Sequence, residues 1–178
     1  VEPEENIQHD RYVENVYLGL KNGILDPSII LLSDRDHLTF LDCRSVEFQK
    51  YPTPADNGHF EVVVVYSGLA KSLACTDYNS RVTECEQAAR LLLEWTGQPV
   101  PSRPRLRMVS EEIFADLGND LPSPLARRAR HFFGEVHRVG DGVRAWQDGD
   151  LERVGELINE SGGSSVYNYE SGCPHLIT

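Results

Sequence analysis

The first residue whose type and setting could do chemistry is Asp26, in the segment Asn22-Gly23-Ile24-Leu25-Asp26-Pro27. A tight glycine turn followed by a carboxylate at a helix start would hold Asp26 near backbone N–H groups, where it could serve as a general base. The same pattern also describes an ordinary helix start, with Asp26 as N-cap and Pro27 at the first helical position. Spacing alone favours this structural interpretation, because caps are far commoner than catalytic bases.

Tyr78 is a second candidate, because it immediately precedes a helix predicted from Asn79. Its hydroxyl could bind a polar ligand, and the free N–H groups of a helix start favour anions. The alternative is that Tyr78 only packs against the start of a capped helix. Spacing alone again favours the structural alternative.

Arg127, Arg128, Arg130 and His131 form a basic cluster that could dock a phosphate. Such a helix face is more often simply solvated, and we expect it to be so here. His131 and His137 are six residues apart and do not share a helix face, which makes them poor metal ligands. The phosphate-binding patterns GxGxxG and GxxxxGKS/T do not occur in the sequence.

Hydrophobic periodicity predicts the elements that position these residues. In the first third of the chain we expect a helix over 6–20 that ends at Asn22-Gly23, and a short helix that starts at Asp26. A half-buried strand is predicted over 37–42, and a loop over 51–58. The β-branched run over 61–67 is typical of a central strand buried on both faces.

The remainder of the chain is predicted to be helical. The expected helices cover 79–95, 110–117, 124–147 and 151–161. The longest has an apolar stripe at Leu125, Ala129, Phe132, Val136, Val139, Val143 and Trp146. Strands and helices do not alternate strictly, so the sequence predicts an α+β fold and not a doubly wound parallel sheet.

Composition limits the class of protein. The 178 residues carry a net charge of −11, which argues against a nucleic-acid binder. The longest apolar run is far shorter than the roughly 20 residues that span a bilayer, so no membrane role is expected. Four cysteines without CxxC pairing indicate reduced thiols in a cytosolic protein. Because the only methionine is Met108, we expect the chain to be cut from something longer.

Four stretches, in the same order along the chain, resemble the galactokinase branch of the GHMP kinases. They lie at 14–26, at 37–45, at 67–89 and at 127–174. The resemblance implies an α+β, GHMP-kinase-like fold covering the middle and most of the C-terminal lobe. It places the end of the N-terminal lobe, with the catalytic aspartate and the following strand, at residues 1–60. It places the C-terminal lobe, incomplete at its end, at residues 61–178.

The resemblance also implies roles for individual residues. Asp26 matches the catalytic aspartate, which takes the proton from the anomeric hydroxyl as that oxygen attacks the γ-phosphate of ATP. Gly23 matches the glycine whose backbone lies against the sugar, and Tyr78 matches a tyrosine whose hydroxyl contacts the sugar. Asn22 is expected to lie at the sugar, at a position where galactokinases usually have a cysteine. The run over 19–28 looks closer to galacturonate kinases, and Lys21 could either pair with a uronate carboxylate or be solvated.

Three parts of the family's pattern do not occur in this sequence: the N-terminal sugar motif, the Gly/Ser-rich phosphate loop and the late glycine-rich motif. The ligands for ATP and Mg²⁺ are therefore expected mainly from outside this chain, and the 178 residues alone are expected to be inactive. The implied function is a cytoplasmic, monomeric, ATP-dependent 1-kinase of galactose or galacturonate. The alternatives are a non-catalytic relative that senses sugar and ATP and binds a regulatory protein, and an α+β interaction domain with chance likeness.

Overall fold

The computed structural model describes residues 2–54, 60–66, 68 and 77–171, and the chain divides into two compact units. The first unit consists of Val1–Thr76 with Gly142–Val154. The second consists of Asp77–Asp141 with Gly155–Thr178. Helices predominate, and the described residues contain one two-stranded sheet, which agrees with the predicted α+β class. None of the helices within the described ranges is long and apolar enough to span a membrane.

The first unit begins with two helical segments. They are α1 (Pro3–Tyr12), which continues into a π-helical turn (Val13–Tyr17), and α2 (Leu25–Leu32). The first segment stops before Gly19, which has a left-handed φ of +66°. The predicted end at Asn22-Gly23 was therefore wrong, because a residue with positive φ, which glycine adopts at little cost, already ends the helix four positions earlier.

A β-hairpin follows α2. The strands β1 (His37–Leu41) and β2 (Phe48–Pro52) pair antiparallel, with Thr39 opposite Lys50. Asp42 shapes the turn, because its Oδ1 accepts a hydrogen bond from the backbone N–H of Arg44 at 2.8 Å. β1 confirms the predicted strand, whereas β2 extends into residues that were predicted to be a loop.

Residues 61–66 contradict the prediction of a buried central strand. They form no strand, and the side chains of residues 62–65 are between 75% and 92% exposed. Residue 67, the last of the predicted strand, lies outside the described residues. A β-branched run favours extended backbone, but a strand also needs a neighbouring strand for its N–H and C=O groups, and the described residues provide none here.

Residues 142–154 join the first unit through Trp146. Its indole Nε1 donates a hydrogen bond to the carbonyl oxygen of Pro52 at 3.2 Å, and its ring meets Phe60 edge-on. A separate small core holds this unit's helices together, formed by Ile7, Ile24 and Leu32 with Leu41 and Val46 packed against it.

The second unit is built mainly of helices. They are α3 (Tyr78–Trp95), a 3₁₀ turn (Leu106–Met108), α4 (Glu111–Leu117), α5 (Ser123–Gln147), α6 (Leu151–Ser164) and a π-helical turn (Ser165–Tyr169), with parts of α5 and α6 in the first unit. The four predicted helices of this half are confirmed, with ends shifted by at most three residues. The Ser110 side chain accepts a hydrogen bond from Ile113 N, which caps α4.

The core of the second unit lies between α3, α4 and α5. It contains Ala88, Ala89, Leu92, Leu93, Leu106, Val109, Leu121, Leu125, Ala126, Ala129 and Phe133. The predicted stripe along α5 is correct at its two ends but not in its middle, where Val136 and Val139 are exposed. Phe133 is buried instead and stacks on Phe114 with ring centroids 4.3 Å apart.

Candidate functional site

Asp26 lies in the first turn of α2 and is exposed to solvent. The N-cap of this helix is Ile24, whose carbonyl oxygen accepts the first helical hydrogen bond from Ser28 N at 3.0 Å. The prediction that Asp26 is the N-cap was therefore wrong by two positions. Pro27 misled it, because any position in the first turn tolerates a residue without an N–H. In this position the Asp26 carboxylate lies at the positive end of the helix dipole, where a negative charge is stabilised.

The segment before Asp26 is held in place from α1 and from the core. Asn15 donates hydrogen bonds through Nδ2 to the carbonyl oxygen of Asn22 at 3.2 Å and to that of Arg11 at 2.8 Å. Ile24 is buried in the small core of the first unit. Asn22 is half-buried and Gly23 is exposed. The local structure thus fixes the backbone of residues 22–24 while Gly23 and Asp26 remain accessible.

Gly23 is not required by the packing of the described residues. A Cβ atom built at Gly23 would meet no other heavy atom within 4 Å, and its φ is not in the left-handed region. Gly19 also has open space but does need glycine, because its φ is +66°. If a side chain at position 23 is harmful, the cause must be a group that approaches this open surface.

Tyr78 is the first residue of α3 and belongs to the second unit, whereas Asn22, Gly23 and Asp26 belong to the first. Its side chain is half-buried. Asp77 is the N-cap, and its carbonyl oxygen accepts the first helical hydrogen bond from Arg81 N at 3.1 Å. Tyr78 is thus placed at the N-terminus of a long, well-formed helix, as the sequence predicted.

Tyr169, in the π-helical turn after α6, interacts electrostatically with Tyr78 and with Cys85. The Tyr169 hydroxyl is hydrogen-bonded to the Cys85 sulfur. The negative charge that Tyr78 would carry when ionised disfavours ionisation of Tyr169. Burial, with smaller contributions from Cys85 and Tyr78, raises the pKa of Tyr169 to about 12. Burial also raises the pKa of Cys85 to about 11. At neutral pH Tyr169 and Cys85 are therefore uncharged, and Cys85 is a protonated, poorly reactive thiol.

Arg128 contradicts the expectation that the basic cluster is solvated. Its side chain is only 1% exposed, and it forms ion pairs with Glu84 at 2.6 Å and with Glu170 at 2.5 Å. It also donates a hydrogen bond to the carbonyl oxygen of Asn168. The physical reason is that a buried guanidinium becomes acceptable when carboxylates and carbonyls occupy its donors.

Two further arginines share these carboxylates. Arg127 pairs with Glu170 at 2.8 Å, and Arg81 pairs with Glu84 at 3.2 Å and with Glu170 at 3.7 Å. The ion pair with Arg128 lowers the pKa of Glu170, and Arg127 contributes to the same effect. A signal for the burial of Arg128 was present in the sequence, because Arg128 lies three residues after Leu125 and four before Phe132, on the apolar face of α5.

His131 is the other member of the basic cluster with a defined environment. Its Nδ1 is 2.9 Å from Ser164 Oγ, and its ring lies against that of Tyr169 with centroids 4.8 Å apart. Burial lowers the pKa of His131, which keeps the ring neutral at pH 7. Arg130, by contrast, is exposed as expected.

The described residues contain no group of three or more His, Cys, Asp or Glu side chains placed to hold a metal ion. Within the described ranges neither Cys43, which is exposed, nor Cys85, which is half-buried, forms a disulfide. The motif residues at 67, 73–74 and 172–174, and the cysteines at 75 and 173, lie outside the described residues.

Comparison with known sequences finds that the chain is similar to sugar kinases. The chain is 43% identical over 178 residues to the galacturonokinase of Arabidopsis thaliana. It is 36% identical over 163 residues to the galactokinase of Roseiflexus sp. and 35% identical over 165 residues to that of Limosilactobacillus fermentum. These alignments cover 99%, 92% and 93% of the chain, respectively. No family model matches the chain.

Comparison with solved structures gives the same relationship. The Lactococcus lactis galactokinase, crystallised with galactose, superimposes with a TM-score of 0.81 and 26% identity over 98% of this chain. The expected galactokinase-like, GHMP-type fold is thereby confirmed. The chain spans only 40% to 42% of the length of the curated relatives and 43% of the Lactococcus structure.

Proposed function

Because this chain shares its sequence and its fold with the galactokinase branch of the GHMP kinases, we propose that the full-length protein is an ATP-dependent sugar 1-kinase. It transfers the γ-phosphate of ATP to the anomeric hydroxyl of galactose or galacturonate. The observation that carries the proposal is the 43% identity to a galacturonokinase over 178 residues, an alignment that covers 99% of this chain. The exposed position of Asp26 at a helix start is compatible with it.

Asp26 acts in this mechanism as the general base. Phosphoryl transfer depends mostly on positioning and on charge neutralisation, and the protein must accept one proton as the sugar oxygen attacks phosphorus. The Asp26 carboxylate is exposed, and the folded backbone around Ile24 holds it in the first turn of α2. These features suit a base that has to meet a ligand from solvent and lose little entropy in doing so.

The remaining site residues bind the sugar. Gly23 brings its backbone against the sugar, and the open surface where its Cβ would stand is compatible with such an approach. Tyr78 contacts the sugar through its hydroxyl from the start of α3. Asn22 contacts the sugar from the segment that a hydrogen bond from Asn15 fixes to α1.

Two observations favour galacturonate over galactose as the substrate. The identity to the galacturonokinase, 43%, is higher than that to either galactokinase named above, 36% and 35%. Lys21 lies two residues before Gly23 and is half-buried, which suits pairing with the uronate carboxylate.

The chain supplies only part of the enzyme. In this proposal the phosphate loop and most of the ligands for ATP and Mg²⁺ come from sequence outside these 178 residues. Residues 1–60 are the end of the N-terminal lobe, and residues 61–178 are most of the C-terminal lobe. The full-length protein is a cytoplasmic monomer that binds a small sugar and ATP.

The test is an assay of the full-length protein with ATP and with galactose or galacturonate, side by side. We expect phosphorylation of galacturonate at a higher kcat/KM than of galactose. A Lys21→Met variant should lose most of that preference while keeping activity on galactose. A protein that binds sugar but phosphorylates neither would instead be the non-catalytic sugar sensor, and one that binds no sugar would be the interaction domain.

A further inference from the structure

The exposed apolar side chains of this chain are concentrated in the first unit. There they fall mainly in three segments of the described residues, 12–18, 25–31 and 60–66. The second unit exposes fewer large apolar side chains within its described ranges, namely Trp95, Met108, Val136, Val139, Ile158 and Tyr167. Single apolar side chains on a surface are ordinary, but three such segments in one unit indicate a surface that another part of the protein covers.

α2 is apolar on all sides, but its own unit buries only one of them. The consecutive residues at 29–32 are Ile, Ile, Leu and Leu, and they point in four directions because each residue turns the helix by about 100°. Leu32 is buried in the small core, whereas Ile30 is 80% exposed. A helix that is apolar all round is normally buried all round. One side of α2 therefore lacks a covering layer among the described residues.

The run at 62–65 lacks partners both on its faces and at its edges. Successive side chains of an extended segment point to opposite faces, yet all four valines of this run are exposed. Within the described part of the chain its backbone pairs with no strand. The run therefore offers apolar side chains and free backbone groups, which is what a strand of a β-sheet requires from its neighbours.

The partner that fits this surface is the part of the full-length protein outside these 178 residues. The chain spans only 40% to 42% of the length of the curated relatives, so more than half of each relative lies outside the match. A segment of the same polypeptide is present at high effective concentration. It therefore competes favourably with a second copy of the chain for the same surface.

We propose that this outside part packs a β-sheet onto the first unit, that the run at 62–65 becomes a strand of that sheet, and that the same part covers the exposed side of α2. Asp26 and Ile30 are four residues apart, so they lie on the same side of α2, about 6 Å apart along its axis. The covering part therefore lies beside the candidate base. In the proposed reaction this contact brings the phosphate loop, which also comes from outside these residues, to Asp26.

Hydrogen–deuterium exchange of the full-length protein, read by mass spectrometry of its peptides, tests the strand. The amide protons of residues 63–65 should exchange at least about 100-fold more slowly than those of an unstructured peptide of the same sequence. Residues 101–103, which are exposed and belong to no helix or strand, should exchange fast. Free exchange of residues 63–65 would overturn the proposal. Protection that appears only at high protein concentration, together with a dimer in light scattering, would assign the surface to a second copy and overturn it as well.

Two matched substitutions test the side of α2. Ile30 of α2 and Ile158 of α6 are 80% and 66% exposed, so this chain by itself predicts little effect at either position. In the full-length protein Ile30→Ala should lower the thermal-unfolding midpoint by at least about 2 °C, because it leaves a cavity under the covering part. Ile158→Ala should shift the midpoint by less than about 1 °C. Equal midpoints for the two variants would mean that nothing covers Ile30, which would overturn the proposal.

The outcomes separate this proposal from the proposed function. If the full-length protein phosphorylates a sugar while residues 63–65 exchange freely, the covering surface is wrong and the kinase proposal stands. If residues 63–65 are protected and Ile30→Ala is destabilised, but the protein phosphorylates no sugar, the proposed function fails and the covering surface stands.

Discussion

Replacing Arg128 should cost far more stability than replacing its neighbour Arg127. Both side chains pair with Glu170 and both come from the same turn of α5, but their exposed fractions are 1% and 31%. The comparison of Arg128→Met with Arg127→Met therefore sets a buried arginine with three partners against a more exposed one, while both changes remove the same charge and leave the same side chain.

The magnitude follows from what each substitution leaves behind. Removing one partner of a fully buried ion pair costs about 3–5 kcal/mol. Here the carboxylates of Glu84 and Glu170 are 23% and 38% exposed and keep Arg81 and Arg127 as partners, so we discount the cost of Arg128→Met to about 2–3 kcal/mol. Arg127→Met removes a more exposed pair and also a buried Nε that has no hydrogen-bond partner, so it should cost about 1 kcal/mol or less.

The assay is equilibrium urea unfolding of the full-length protein, followed by circular dichroism, at neutral pH and moderate salt. We expect the free energies of unfolding of the two variants to differ by roughly 1–2 kcal/mol, with Arg128→Met the less stable. Equal values, or an Arg128→Met variant as stable as the parent, would refute the conclusion that the buried ion pairs of Arg128 stabilise this part of the second unit.

Three other substitutions test the local structure. Gly23→Ala should leave the free energy of unfolding unchanged or raise it by up to about 1 kcal/mol, because its Cβ meets nothing, yet raise the KM for the sugar about tenfold. An unchanged KM would remove Gly23 from the sugar site. Gly19→Ala should instead lower stability by roughly 1–2 kcal/mol, because its φ is +66°, and an unaltered urea midpoint would contradict that. Burial lowers the pKa of His131 from 6.5 in the folded protein. The contribution of the neutral ring to the free energy of unfolding should therefore be fully present above pH 6.5. It should be lost as the pH falls from 6.5 towards the lower folded-state pKa, because the unfolded chain binds the proton first. His131→Gln should flatten this decline in thermal-unfolding midpoints measured between pH 7.5 and 5.5, and an equally steep decline would rule out His131 as its source.

The regular helices could be predicted from sequence because their signals are local. In α3 and α5 the apolar residues recur at steps of three and four, and Gly97, with a φ of +67°, follows the end of α3. The start of α2 was misplaced because Pro27 is compatible with several positions in a first turn. β2 was missed because its sequence, Phe48-Gln49-Lys50-Tyr51-Pro52, lacks a clear alternation and contains a proline.

Features that depend on distant partners could not be predicted in this way. The β-branched run at 61–66 carries every local sign of a strand, but strand formation needs a second strand, which local sequence cannot supply. The place of Arg128 on the apolar face of α5 was visible in the sequence, but its partner Glu170 is 42 residues away along the chain, so local sequence did not show what compensates its charge. The candidate site shows the same limit. Spacing alone favoured structural interpretations of Asp26 and Tyr78, and only the family resemblance indicated catalytic and binding roles.

The most direct test of the central claim is the rate of ATP-dependent sugar phosphorylation by the full-length Asp26→Asn variant. Loss of the general base should lower kcat by about 10²–10⁴-fold and leave the affinity for the sugar nearly unchanged. Asp10→Asn, an exposed aspartate of α1, is the matched control and should retain the parent rate. Full activity of Asp26→Asn would contradict the account, because a sugar kinase built on this chain would then need a different base.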